Sequence, residues 1–172
     1  MPVREEVTTA ATETAQEYAG GADRPLGAFG GLMAGYGGAV CAIAGAARLT
    51  GRKVAEPTPW DVALCAGATH RLSRLVTKDA VTSPLRAPFS RFKGTTGPAE
   101  LEEEVRGSGA RKAVGELLTC PFCTSLWFAT GFAAGLVFAP AATRLAAGTL
   151  TALTVSDLLH FARSRAQRAA GE

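Results

Sequence analysis

Apolar and charged positions fall in blocks along this chain. Charged residues crowd into 1–25, 48–116 and 163–172, and the stretches between them are almost free of charge. Residues 26–47 carry no charge at all, about the twenty positions a helix needs to cross hydrocarbon. Residues 117–139 are likewise uncharged and stop at Pro140. After a short connection over 140–144, residues 145–161 are apolar apart from Asp157 and His160. The pattern predicts membrane-spanning helices over 26–47, 117–139 and 145–161. The brevity of the last connection makes the second and third an antiparallel hairpin.

The stretch "PWDVALCAGATHRLSRLV" differs. It opens as a helix, with Pro59 just before Trp60 and Asp61 in the first turn. Its apolar run is interrupted by His70, Arg71 and Arg74, well short of a span. Residues 60–76 are therefore expected as an interfacial or re-entrant helix, with a full fourth crossing as the alternative. Downstream, "TSPLRAPFSRFKGTTGP" is punctuated by Pro84, Pro88 and Pro98, which oppose regular helix. "AELEEEVRGSGARKAVGELL" reads as short helical pieces broken at Gly107 and Gly109. The expected fold class is all-α, an integral membrane helical bundle of three transmembrane helices plus one interfacial helix. A membrane domain over 26–162, with its loop at 77–116, lies between a flexible acidic tail at 1–25 and a basic tail at 163–172.

Composition sharpens this picture. Alanine and glycine carry most of the apolar share, and aromatic residues make up only 7%, a balance suited to helices packed closely in lipid. Gly27, Gly31 and Gly35 recur every fourth residue, and Gly131 and Gly135 repeat the spacing. In water each would cost a helix about 1 kcal/mol relative to alanine. In a bilayer they permit close helix contact, within one chain or in a homo-oligomer. The residues before the first span are acidic and numerous, the wrong flank for a cleaved signal peptide. A net charge of +3 is too mild to point to nucleic acid. Arg48, Arg52 and Lys53 follow the first span, and Arg163, Arg165 and Arg168 follow the last. The positive-inside rule puts both groups and the 77–116 loop in the cytoplasm of a multi-pass cell-membrane protein, with the N-terminus outside.

Candidate chemistry gathers in two motifs. Cys120-Pro121-Phe122-Cys123 shares its wording with thiol redox sites, but here the flanks are helical and apolar. A membrane thiol oxidase needs a second cysteine pair, and Cys41 and Cys65 are both expected to be buried in helices. Facing a reducing cytoplasm, Cys120 and Cys123 are not expected to hold a lasting disulfide. Two cysteines at this spacing supply half a tetrahedral zinc site, and His70 and His160 are the candidates for the other half. The plainer reading has Pro121 starting a helix and the thiols packing as small apolar groups on its first turn, near the basic segment.

The second motif is "HRLSRLVTKDAVTSPLR". Arg71, Arg74, Lys78 and Arg86 are candidates for lipid phosphate or a protein partner, since arginines at a membrane surface grip phosphate in bidentate fashion. Asp79 is expected to pair with a neighbouring arginine, and Asp157, costly within a span, with Arg71 or Arg74.

"ATHRLSRLVTKDAVTSPLRAPF" followed by "RKAVGELLTCPFCTSLW" resembles the bacterial membrane-protein family called domain of unknown function 1360. That family includes a sporulation-associated membrane protein. The resemblance covers 60–161 and implies a small integral membrane protein with a Cys-Pro-x-Cys segment, without bringing an activity. Two functions are expected in parallel. One is a membrane scaffold or interaction protein that recruits a partner or anionic lipid; the other is a thiol- or metal-dependent membrane enzyme centred on Cys120 and Cys123.

Overall fold

The computed structural model describes residues 2–53, 56–97 and 100–171. Helices α1 (Pro2–Ala19), α2 (Leu26–Leu49) and α3 (Pro59–Thr77) come first. A 3-10 turn at Ala80–Thr82 and the short α4 (Ser83–Arg86) lead into strands β1 (Ser90–Gly97) and β2 (Glu100–Val105). Helices α5 (Gly109–Thr119), α6 (Pro121–Phe138) and α7 (Pro140–Ala169) complete the chain. Three of them, α2, α6 and α7, are long and apolar enough to cross a membrane.

Helix α3 begins with a capping box. Thr58 Oγ1 accepts the Asp61 amide at 3.1 Å, Asp61 Oδ2 accepts the Thr58 amide at 3.1 Å, and Pro59 takes the first turn, where its missing N–H costs nothing. From there α3 runs alongside α7 for most of its length. Asp61 meets Arg144 at one end, and Arg71 approaches Asp157 within 3.7 Å at the other. Between them Thr151 Oγ1 donates to the Leu64 carbonyl at 2.7 Å, and Thr154 Oγ1 to that of Gly67 at 2.9 Å. The approach needs Gly67, where a Cβ would stand 2.6 Å from Thr151 Cγ2. Helix α3 therefore does not lie across the end of the bundle. It stands within the bundle, parallel to α7 and antiparallel to α6. Polar partners on α7 replace the apolar residues it lacks.

Helix α2 takes the direction of α6. Just before it, Asp23 pairs with Lys112 at 3.2 Å and Arg24 with Glu116 at 3.5 Å, both on α5. Midway, the Tyr36 hydroxyl lies 2.8 Å from Thr130 Oγ1, and its ring meets Trp127 edge-on at 5.3 Å. One end of the bundle therefore holds the start of α2, the end of α3, the hairpin, α5, the start of α6 and the end of α7. The other holds the end of α2, the start of α3 and the α6–α7 turn. These contacts place the start of α2 at the same end of the bundle as the hairpin and the last turns of α7. The arrangement follows from α3, which runs the length of the bundle beside α7.

Several other expectations change. The acidic stretch expected as a flexible tail contains α1. The fold is not purely α-helical: β1 and β2 pair antiparallel from Ser90↔Val105 to Gly97↔Glu100, where a loop and helical pieces were expected. The helix expected from 117 divides at Cys120, because Pro121 disfavours helical backbone in the residue before it. The connection over 140–144 is itself helical, with Pro140 in the first turn of α7, so Ala139 alone joins α6 to α7. Around Gly27, Gly31, Gly35 and Gly131 nothing among the described residues lies within 4 Å of a would-be Cβ, so they make no close helix contact with those residues. Gly135 does, with Thr143 Oγ1 2.5 Å from that position.

Gly67→Ala is expected to destabilise the detergent-purified protein by about 1–3 kcal/mol, the usual toll of overpacking a close contact. Thr151→Ala in the same chain should recover part of that loss. An unchanged thermal midpoint for Gly67→Ala would contradict the α3–α7 contact.

Candidate functional site

The last turns of α3 carry the basic face. Arg71 Nη2 binds Asp79 at 3.1 Å and Nη1 reaches toward Asp157, while its buried Nε has no hydrogen-bond partner among the described residues. Arg74 binds Glu100 of β2 at 3.1 Å. Among the described residues His70, Lys78, His160 and Arg168 make no ion pair. A cavity of about 470 Å³ opens between this face and α7, bringing Arg71, Arg74 and His70 opposite Asp157, His160 and Arg168. On the other flank a groove of about 560 Å³ sets His70, Arg74 and Lys78 near Pro121, Phe122 and Ser125 of α6.

Arg86 does something different from its neighbours. It is fully buried, so it does not present its charge to lipid. Its Nε donates to Glu103 at 2.5 Å, Nη1 to the Val76 carbonyl at 2.6 Å and to Thr82 Oγ1 at 2.7 Å, and Nη2 to the Asp79 carbonyl at 3.1 Å. One guanidinium thus covers the carbonyl end of α3, where a cation is favoured, and locks β2 onto it. Thr82 assists by donating to the Leu75 carbonyl at 2.5 Å. Arg106 and Arg111 hold the following turn through the Ala87 and Pro88 carbonyls. Val105 packs on Gly115, whose missing side chain lets β2 approach α5. Residues 79–97 and 100–119 therefore form a braced cap on the bundle end. On its outer strand face Lys93 hydrogen-bonds Glu104 at 2.8 Å and holds that carboxyl below the usual carboxylate range.

Cys120 is the N-cap of α6, and its sulfur accepts the Cys123 amide at 3.3 Å. The two sulfurs stand 2.6 Å apart, with Cys123 exposed and Cys120 half-buried. His70 and His160 instead share the α3–α7 cavity, which neither cysteine lines. Among the described residues no three His, Cys, Asp or Glu side chains gather at metal-holding spacing, so Cys120, Cys123, His70 and His160 do not form a four-ligand zinc site. Cys41 is exposed and Cys65 half-buried, where both were expected to be buried.

Sequence reading missed the ion pair at the opposite end. Asp61 Oδ1 accepts from Arg144 Nε at 2.7 Å and Oδ2 from Nη2 at 3.1 Å. The spacing of Thr58 and Asp61 as a capping box was the available signal. Nothing local pointed to Arg144.

A mainly helical bundle with three spanning-length apolar helices and a charged, side-chain-braced cap defines the class. The chain belongs to the family described as protein of unknown function (DUF1360), which matches residues 64–163. A curated relative, the sporulation protein YjcA of Bacillus subtilis (strain 168), is 37% identical over 71 residues, 40% of this chain and 60% of that protein. The match thus spans less than two thirds of that relative's length. No solved structure matches.

Proposed function

We propose that this protein is a small multi-pass membrane scaffold. On this reading it crosses four times, keeps both termini and the cap over 79–119 in the cytoplasm, and offers that cap to a protein partner with anionic lipid at its basic margin. The distribution of basic residues supports the orientation. Of the eighteen lysines and arginines, Arg48, Arg52, Lys53 and Arg144 belong to the end without the cap. The others belong to the N-terminal stretch, to 71–112 and to the C-terminal turns of α7, and cytoplasmic segments carry the excess of such residues. The bracing of the cap supports the scaffold role, since a surface fixed in advance loses less entropy on binding. Phe92, 65% exposed on β1, lies on that surface.

Single cysteines placed at Lys53 and Lys93, in a chain whose own four cysteines are replaced by serine, test the orientation. An impermeant maleimide should label position 53 on intact cells and position 93 only after permeabilisation. Labelling of 93 from outside would invert the protein; equal access to both would remove the crossing by α3.

A further inference from the structure

Resting on that orientation, we propose that the cavity between α3 and α7 binds a phosphate group, supplied by an anionic phospholipid of the cytoplasmic leaflet. The walls come from two helices and converge in charge. Arg71 and Arg74 enter from α3 and Arg168 from α7, with His70, His160 and Ser164 among the lining groups. Two carboxylates oppose them. Asp79 and Asp157 both attend Arg71, and Arg74 is held by Glu100. Arg168, His70 and His160 have no ion-pair partner among the described residues, so they supply the uncommitted donors. A guanidinium suits phosphate because its N–H groups form a fork that matches two phosphate oxygens.

The remainder of the lining fits a lipid. Leu158 and Phe161, 62% and 51% exposed, lie beside these donors. They come from the stretch where α7 passes from apolar residues to its basic last turns. A phosphate held there would stand at headgroup depth, with its glycerol and acyl chains running along the apolar part of α7. The volume of about 470 Å³ is within the range of sites for small ligands.

The test uses the full chain in a neutral maltoside detergent. Thermal midpoint and native mass spectrometry are followed with phosphatidylglycerol, phosphatidylcholine, glycerol 3-phosphate and inorganic phosphate. Phosphatidylglycerol should stabilise the wild type and stay bound in the mass spectrum, while phosphatidylcholine should do neither. Arg168→Gln should weaken that binding about five-fold, the effect of one basic side chain near an anionic lipid surface. His160→Gln in the same chain should weaken it further. Arg163→Gln, on the same helix but outside the cavity, should leave it unchanged. Equal stabilisation by glycerol 3-phosphate or inorganic phosphate would keep the site and replace the lipid by a soluble phosphate. The site would be overturned if phosphatidylglycerol stabilised the double variant as well as Arg163→Gln, or if phosphatidylcholine served equally. An inverted orientation in the labelling experiment would move the site to the other leaflet without altering these detergent results, so the two failures are distinguishable.

Discussion

Arg86→Met should cost about 3–5 kcal/mol and release the cap from the bundle, because removing one partner of a buried pair strands the other. Glu103, whose side chain is 6% exposed, would be left charged without its cation. The Val76 and Asp79 carbonyls would lose their donor at the same time. Arg86→Lys keeps the charge but not the fork of donors, so its loss should fall between wild type and methionine. Pairing Arg86→Met with Glu103→Met should restore much of the stability, since a buried pair replaced by apolar residues of similar size is often tolerated. Limited proteolysis reads the result. Cleavage between residues 79 and 106 should rise sharply in Arg86→Met and fall again in the double variant. A single variant as resistant as wild type would show that the brace does not hold the cap.

The second large effect is expected at the other end of the bundle. Asp61 has only 3% of its side-chain surface exposed and serves two helices at once. Asp61→Ala removes the N-cap partnership, typically about 1 kcal/mol, and a charge-assisted double hydrogen bond worth roughly 1.5–3 kcal/mol. Arg144 is 51% exposed, and water recovers part of its share. The expected total is therefore about 2–3 kcal/mol, read from the unfolding midpoint in detergent. Arg144→Ala should cost less, since Asp61 then keeps its hydrogen bonds from Thr58. The two changes together should cost less than the sum of both. Strict additivity would mean that the α3–α7 pair carries no coupling.

What the sequence made legible was the apolar architecture: α2 and α6 hold uncharged runs of about spanning length and α7 is apolar on either side of Asp157, a signal that needs no partner. The place of α3 was not legible, because the groups that let a short apolar run stand inside the bundle come from far along the chain. Asp61 and Arg144 are 83 residues apart, and Arg71 and Asp157 are also distant. The hairpin was hidden for a related reason. Leu101, Glu103 and Val105 alternate inward as strand positions should, but the middle one is a glutamate, a better helix former than strand former. Only Arg86 makes Glu103 an inside residue. Arg86 in turn looked like a surface cation, since arginine is seldom fully buried and its enclosing carbonyls are invisible in a linear pattern. Of the cysteine motif, the helix start was readable from Pro121. That both histidines line a cavity which neither thiol lines depended on how α3 and α7 pair.

The α3–α7 pairing also imposes an order on biosynthesis. A ribosome adds about 5–20 residues per second, so Arg144 follows Asp61 out of the exit tunnel by several seconds. Throughout that interval α3 carries an acidic residue at one end, arginines at the other and too few apolar residues between them to settle alone in a bilayer. In the proposed orientation it waits at the membrane until α6 and α7 arrive as a hairpin. On that proposal α3, made before α6 and α7, would be the last to be seated.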